Sequence, residues 1–335
     1  MKVLSGPSEG PRHPNPYIKT LLKGLGTRVD LEVFSWRKAL FGDYDVLHLH
    51  WPEHLVSSRS AAKGWLKALA FGAIILRARI QSKKLVWTVH NETPHEQHAL
   101  SVSLAFRYFQ RCVDAAIYLT ESGRATFTAN RRPEIEVVIR HGHYGPSLPD
   151  PEDRRAHESA SGRPYLVSFG LLRPYKGLDR LIEAVIGCSS DVDLVIAGQP
   201  RDPEHLEQLQ RIAGADPGIR LDARYIPQQE LVSLIDGSLG VVLPYRRMNN
   251  SGALMMALTL AKPVLVPDGQ PSREVAALAG EEWVDFFTSP LEPRHIDNFV
   301  ASAAKPRSAP PDLRPFNWDD IIESHESLYR KLTGQ

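Results

Sequence analysis

The chain has 335 residues, 42% hydrophobic and 24% charged, with a formal net charge of +1; this is room for two α/β domains and excludes a fibre or a disordered chain. Its two cysteines, Cys112 and Cys188, are too few and too far apart for a disulfide framework or a zinc site, which points to a reducing compartment. The near-neutral total hides an asymmetry: residues 1–150 carry 20 Lys and Arg against 13 Asp and Glu, and residues 151–335 carry 20 against 26. A basic first half suits an anionic membrane or a pyrophosphate-bearing substrate, whereas the scatter of the basic residues and the lack of a recognised motif point away from nucleic acid.

The start, MKVLSGPSEG, enters a strand at once without the leader of a signal peptide, so a cytoplasmic location is expected. Strand-like runs follow at 2–5, 29–34, 45–50, 84–90, 115–120 and 136–142 with helical stretches between them, the rhythm of a parallel sheet covered by helices. The segment GWLKALAFGAIILRARIQSKKL is apolar without interruption only from Ala68 to Leu76, too short to span a bilayer. Lys63, Lys67, Arg77, Arg79, Lys83 and Lys84 flank it with Trp65 nearby, a composition that suits a helix lying on an anionic surface, the inner face of the plasma membrane by expectation; a helix buried against the sheet is the alternative.

A polar, proline-bearing segment at 145–164 reads as the linker. The rhythm restarts with strands at 165–169, 193–198, 219–226, 239–245 and 263–268, then a proline-rich loop after Ala301 and a last helix capped by Asn317. The expected division is a first domain at 1–150, a linker at 151–163, a second domain at 164–315 and a terminal helix at 316–335.

Between the strand Tyr165–Phe169 and the helix Leu178–Ile186 lies GLLRPYKG, a turn that holds Arg173 and Lys176 three residues apart. Cations at a strand-to-helix turn sit beside the partial positive charge and free N–H groups of the helix start, where phosphate is the natural ligand. A solvated surface loop is the alternative. The DVD at 191–193 lies at a strand entrance and is not read as a metal motif.

These residues resemble the GT-B glycosyltransferases, especially the family-4 group that uses nucleotide-diphosphate sugars. GLLRPYKG supplies Gly170, Arg173, Lys176 and Gly177 of the signature turn, VIAGQP matches the next strand, YIPQQEL the strand end beside the nucleotide base, and VVLPYRRMNNSGALMMALTLAKPVLVPD the phosphate-loop helix. The resemblance runs through most of the chain. It implies two Rossmann-like α/β domains facing across a cleft, with the terminal helix crossing back to the first. It also implies diphosphate binding by Gly170, Arg173, Lys176, Asn250, Ser251 and Gly252, and base and ribose contacts from Gly198, Gln199, Tyr225 and Ile226. Fixed cations stabilise the charge that builds on a departing diphosphate, so no metal and no cofactor beyond the sugar nucleotide is expected.

The chain departs from the family-4 pattern where two glutamates are usual, with Met248 and Met256 in their places. This removes the ribose anchor and puts a retaining mechanism in doubt. HLHWPE, VWTVHNETPHE and NSGALMMAL look more like the bacterial exopolysaccharide β-mannosyltransferases of the xanthan type, implying GDP-mannose as donor, a saccharide or polyprenyl-linked saccharide as acceptor, and inversion. A UDP-hexose donor, and a non-catalytic saccharide-binding protein, are the alternatives.

Inversion needs a base for the acceptor hydroxyl. Candidates cluster at the ends of two strands: His48, His50 and Glu53, then His90, Glu92, His95 and Glu96. His90 matches the histidine beside the donor sugar in family-4 relatives. Glu53 or Glu96 is the expected base, with Ser5, Gly6, Asn15, Glu92 and His95 at the acceptor, and His141 and His143 given no catalytic role.

Overall fold

Alternating apolar strands and amphipathic helices leave the central strands buried on both faces, so the sheets are parallel and helix-covered. The computed structural model describes residues 1–6, 15–58, 60–90, 99–127, 133–150, 157, 161–246, 248 and 251–335. The chain divides into two compact units, Met1–Gly142 with Phe316–Gln335, and His143–Pro315.

In the first unit, β1 (Lys2–Gly6), β2 (Asp30–Val33), β3 (Val46–Leu49), β4 (Lys84–Val89), β5 (Ala115–Tyr118) and β6 (Ile135–Val138) form a parallel sheet in the order β2-β1-β3-β4-β5-β6. Six helices connect them: α1 (Pro16–Leu25), α2 (Trp36–Phe41), α3 (Pro52–Val56), α4 (Ala61–Ile80), α5 (Leu100–Cys112) and α6 (Glu121–Thr126). α1 begins where Asn15 Oδ1 accepts from the Tyr17 amide at 3.0 Å and Pro16 fills the first helical position.

In the second unit, the strands are β7 (Tyr165–Phe169), β8 (Asp193–Ala197), β9 (Ile219–Asp222), β10 (Gly240–Val242), β11 (Val264–Pro267) and β12 (Val284–Phe287), in the order β12-β11-β10-β7-β8-β9. The helices are α7 (Leu178–Ile186), α8 (Pro203–Ala213), α9 (Gln228–Gly237), α10 (Gly252–Thr259), α11 (Gln270–Ala279) and α12 (Pro293–Ala303). The strand order reverses between β7 and β10, and in open parallel sheets ligands collect outside the carboxyl ends of the strands at that switch point. The loops after β7 and β10 therefore define where to look.

The last helix, α13 (Trp318–Thr333), returns to the first unit, capped by Asn317 Oδ1 accepting from the Asp319 amide. Its Trp318, Ile321, Ile322, Leu328 and Tyr329 share a core with Val3, Tyr17, Ile18, Leu21 and Leu25.

Three expectations need correction. β12 was not anticipated: it is a four-residue edge strand, VDFF, whose two central residues, Asp285 among them, are only half-buried, which weakens its apolar signal. The strand expected at 219–226 ends at Asp222, because Asp222 and Glu230 both pair with Arg224 and turn the chain. Ser5 lies inside β1, fully buried beside His48 of β3, so its hydroxyl offers no surface to an acceptor.

Candidate active site

The second unit carries the cations. Gly177 ends a 3-10 turn at Pro174–Lys176 in the left-handed region, and a Cβ there would lie 2.3 Å from the Pro244 carbonyl oxygen. The basic turn is thus held against the loop after β10, and the Arg246 amide fastens it by donating to the Tyr175 carbonyl at 3.0 Å. Gly198 is equally constrained, since a Cβ there would lie 1.9 Å from the Gly170 carbonyl oxygen. Only glycine lets the turns after β7 and β8 pack this closely.

Lys176 is buried, with Nζ donating to the Phe169 carbonyl at 3.4 Å and lying 5.1 Å from the centre of the Tyr245 ring. Burial pulls its pKa down to about 8, opposed by Tyr175 and assisted by Arg173. Arg173 is half-buried at the start of the same turn. Ser251 caps α10 by accepting from the Leu254 amide at 3.2 Å, and Gly252 opens that helix. The arrangement presents a cation and a helix start on the two loops that flank the switch point, which is what a diphosphate requires. Tyr225 is exposed, Ile226 buried and Gln199 exposed in the loops after β9 and β8. Asn250 lies outside the described residues.

Met256 is buried within α10, where a charged carboxylate would have been costly. The DVD sequence is an ion-pair site: Arg163 pairs with Asp191 at 2.8 Å and with Asp193.

The first unit gathers imidazoles at the ends of β3 and β4. His48 is fully buried, with Nδ1 2.7 Å from the Tyr329 hydroxyl and Nε2 2.8 Å from Thr88 Oγ1. His50 Nδ1 lies 3.2 Å from His90 Nε2, and Trp51 stacks on His90 at 4.1 Å between ring centres. His141 stacks on Tyr17 at 4.2 Å, and His325 enters from α13, 5.7 Å from His48. Burial, and then the neighbouring imidazoles, hold His48 and His90 well below the ordinary histidine range. His50 is pushed down to about 3, and His325 and His141 to about 4. At neutral pH the group is uncharged.

Glu53 follows Pro52 in the first turn of α3 and is half-buried. Burial raises its pKa to about 7, while its own backbone amide works in the other direction. A carboxyl poised near neutrality suits proton transfer at physiological pH. Asn15 caps α1, which commits its side-chain oxygen, and Gly6 ends β1. Glu92, His95 and Glu96 lie outside the described residues. The pattern of the sequence did not reveal Tyr245, Trp51, Thr88, Tyr329 or His325. The only available hint was the arrival of His325 and Tyr329 one helical turn apart on a terminal helix.

The histidines imply an acid limit to stability. His48, His50 and His325 bind protons less readily folded than unfolded, so stability is full above pH 6.5 and falls as pH drops from there toward the folded values. The expected loss is about 1.4 kcal/mol per histidine per pH unit, read by urea denaturation between pH 7 and pH 4. A flat profile would contradict the neutral cluster.

Two parallel six-stranded sheets, each covered by helices, with a basic turn at the switch point of the second, make up the GT-B fold. Residues 149–286 match the family model described as glycosyl transferases group 1. The chain is 30% identical, over 99% of its length and 93% of the relative's, to a GDP-mannose:glycolipid 4-β-D-mannosyltransferase of Xanthomonas campestris pv. campestris. Among solved structures it is similar to Anabaena HepE in complex with UDP and glucose (TM-score 0.65, 15% identity, 99% of this chain and 95% of that one). It is also similar to sucrose-phosphate synthase from Thermosynechococcus elongatus (TM-score 0.68, 12% identity, 99% and 98%), and both likenesses show the fold. The chain belongs to the group 1 glycosyltransferases and is an enzyme of that family.

Proposed function

We propose that this enzyme transfers mannose from GDP-mannose to a lipid-linked saccharide with inversion at C1. The observation that carries the reading is the identity to the Xanthomonas enzyme along nearly the whole chain, supported by the buried Lys176, whose ammonium lies 5.1 Å from the Tyr245 ring in the loop that leads to α10. The donor diphosphate is held by Gly170, Arg173, Lys176, Asn250, Ser251 and Gly252, and the guanosine lies by Gly198, Gln199, Tyr225 and Ile226. His90 contacts the mannose. The acceptor hydroxyl, placed by Gly6, Asn15, Glu92 and His95, attacks C1 from the face opposite the leaving group. Its proton passes to the Glu53 carboxylate, with Glu96 as the alternative base, while the C1–O bond breaks and GDP leaves. Arg173 and Lys176 meet the charge that builds on the β-phosphate, an electrostatic role that asks for neither a cofactor nor a metal.

A panel of nucleotides in a thermal-shift assay tests the donor. A nucleotide at 100 times its dissociation constant stabilises by about 2.7 kcal/mol, so GDP should raise the melting temperature and UDP should not. Stabilisation by UDP alone would move the donor to a UDP-hexose.

A lipid-linked acceptor also calls for a surface that meets a bilayer. Among the described residues no helix is long and apolar enough to cross a membrane. α4 buries Phe71, Ile74, Ile75 and Ala78 and also turns Trp65, Leu66, Leu69, Leu76 and Ile80 to solvent, with Leu66 and Leu69 each 68% exposed. The spacing of that outer set is helical, so it forms a second apolar stripe, and Leu100 and Leu104 of the neighbouring α5 are exposed as well. Arg77, Arg79 and Lys83 are engaged by Gly42, Asp114 and Asp43. Lys63, exposed at the start of α4, supplies positive charge for peripheral contact at the inner face of an anionic membrane, joined by Lys67, which is half-buried with Nζ donating to the Ser57 carbonyl at 2.9 Å and keeps its charge there. Vesicles rich in phosphatidylglycerol should sediment the protein at low salt. The combined changes Lys63→Glu and Lys67→Glu should weaken that binding at least tenfold, at about 1 kcal/mol per lysine removed; unchanged binding would remove this surface from the account.

A further inference from the structure

We propose that Tyr245 is a positioning residue of the transfer reaction: its ring face holds the Lys176 ammonium without neutralising it, and its hydroxyl ties that ring to Ser251, the cap of α10. This rests on the assignment of Lys176 and α10 to the donor diphosphate.

Four observations converge on Tyr245. The Lys176 ammonium lies 5.1 Å from the ring centre, within the range of a cation–π contact. Tyr175, beside Lys176, packs edge-on against the same ring at 6.2 Å, which fixes its tilt. The phenol is buried and interacts with the Ser251 side chain, which opposes the rise in its own pKa that burial causes. Backbone contacts bring the two loops together at this point, Arg246 to Tyr175 and Gly177 against Pro244.

The choice of an aromatic partner has a chemical consequence. Among the described residues, the groups that act on Lys176 are Arg173 and Tyr175 from its own turn, the Phe169 carbonyl, and the Tyr245 ring from the loop after β10. None of them is a carboxylate; the Asp179 carboxylate one turn away is paired with Arg246 at 3.1 Å. A carboxylate in place of Tyr245 would hold the ammonium more tightly, but an incoming pyrophosphate would have to compete with it. A π face attracts the cation through its quadrupole and leaves the full positive charge available. Ser251 caps α10 by accepting from the Leu254 amide at 3.2 Å, so the phenol links the ring beneath the cation to the start of that helix.

Two variants separate ring from hydroxyl, and two readouts separate this role from donor identity. Isotope-labelled lysine NMR follows the Lys176 titration in the ligand-free enzyme, and calorimetry with GDP follows binding from pH 7 to pH 10. Tyr245→Phe keeps the ring: the Lys176 midpoint should stay in place, while GDP binding weakens several-fold at every pH. Pentafluorophenylalanine at the same position keeps the shape and reverses the quadrupole: the midpoint should fall by about one pH unit, and the alkaline loss of GDP binding should move with it. An unmoved midpoint in the fluorinated enzyme would overturn the ring's role, and native GDP affinity in Tyr245→Phe would overturn the tie to Ser251. A shifted midpoint in an enzyme that binds no GDP would uphold the ring's role and break the donor assignment instead.

Discussion

Replacing Lys176 with methionine should lower transfer by about a hundredfold to a thousandfold at pH 7, the loss typical when one preorganised group that meets developing charge is removed. The same change should make the protein more stable. The folded lysine has a pKa of about 8, depressed chiefly by burial, so the ammonium is disfavoured in the folded state. Above the unfolded pKa, near 10.4, that effect is absent. As pH falls toward 8 the unfolded chain takes up a proton more readily than the folded one, and stability drops. At pH 7 the cost is about 3 kcal/mol, and a methionine of similar length removes it. Activity lost and stability gained is the signature of a group kept for function. Denaturation at pH 7 and pH 10.5 should show the gain at the lower value only. Arg173→Ala, which leaves the ammonium in place, should reduce transfer without that gain. Near-native transfer by Lys176→Met would contradict the role given to the basic turn.

Glu53→Gln should reduce kcat/KM by about a hundredfold to ten-thousandfold, the range for loss of a general base. The pH profile is the sharper test. With its pKa raised to about 7, mainly by burial, Glu53 is protonated and inactive below neutrality and becomes competent above it. The native enzyme should therefore lose kcat/KM tenfold per unit below about pH 7, and that limb should vanish in Glu53→Gln, leaving a low, flat residue of activity. Burial keeps His50, His141 and His325 neutral across this range, with pKa values of about 3 to 4, so those three do not interfere. A limb that survives in Glu53→Gln at its original pH would shift the base to Glu96.

Much of this is legible in the sequence. The parallel strands of the first unit are apolar runs between helical stretches. α7 was readable residue by residue, because Gly177 and Gly187 bracket its amphipathic pattern. The basic turn declared itself through Arg173 and Lys176 between two glycines. Other features could not be read because they depend on partners distant in sequence. Lys176 reads as a surface charge until Tyr245, nearly seventy positions on, is seen beneath it. His48 and His50 suggested chemistry by their number, yet His48 is committed to Thr88 and to Tyr329 of the returning helix, a contact no local pattern encodes. α4 buries one apolar stripe, as the core-helix reading of its segment expects, and leaves a second one exposed. Periodicity shows an apolar stripe, and two stripes on one helix look like a buried helix until the exposure of Leu66 and Leu69 is known.

The account stands most directly on product analysis. Purified enzyme, GDP-mannose and a polyprenyl-diphosphate-linked oligosaccharide should yield an acceptor heavier by one hexose, and the one-bond carbon–hydrogen coupling at its new anomeric centre should be that of a β-mannoside. An α-linked product, or transfer from a UDP-hexose with none from GDP-mannose, would contradict it.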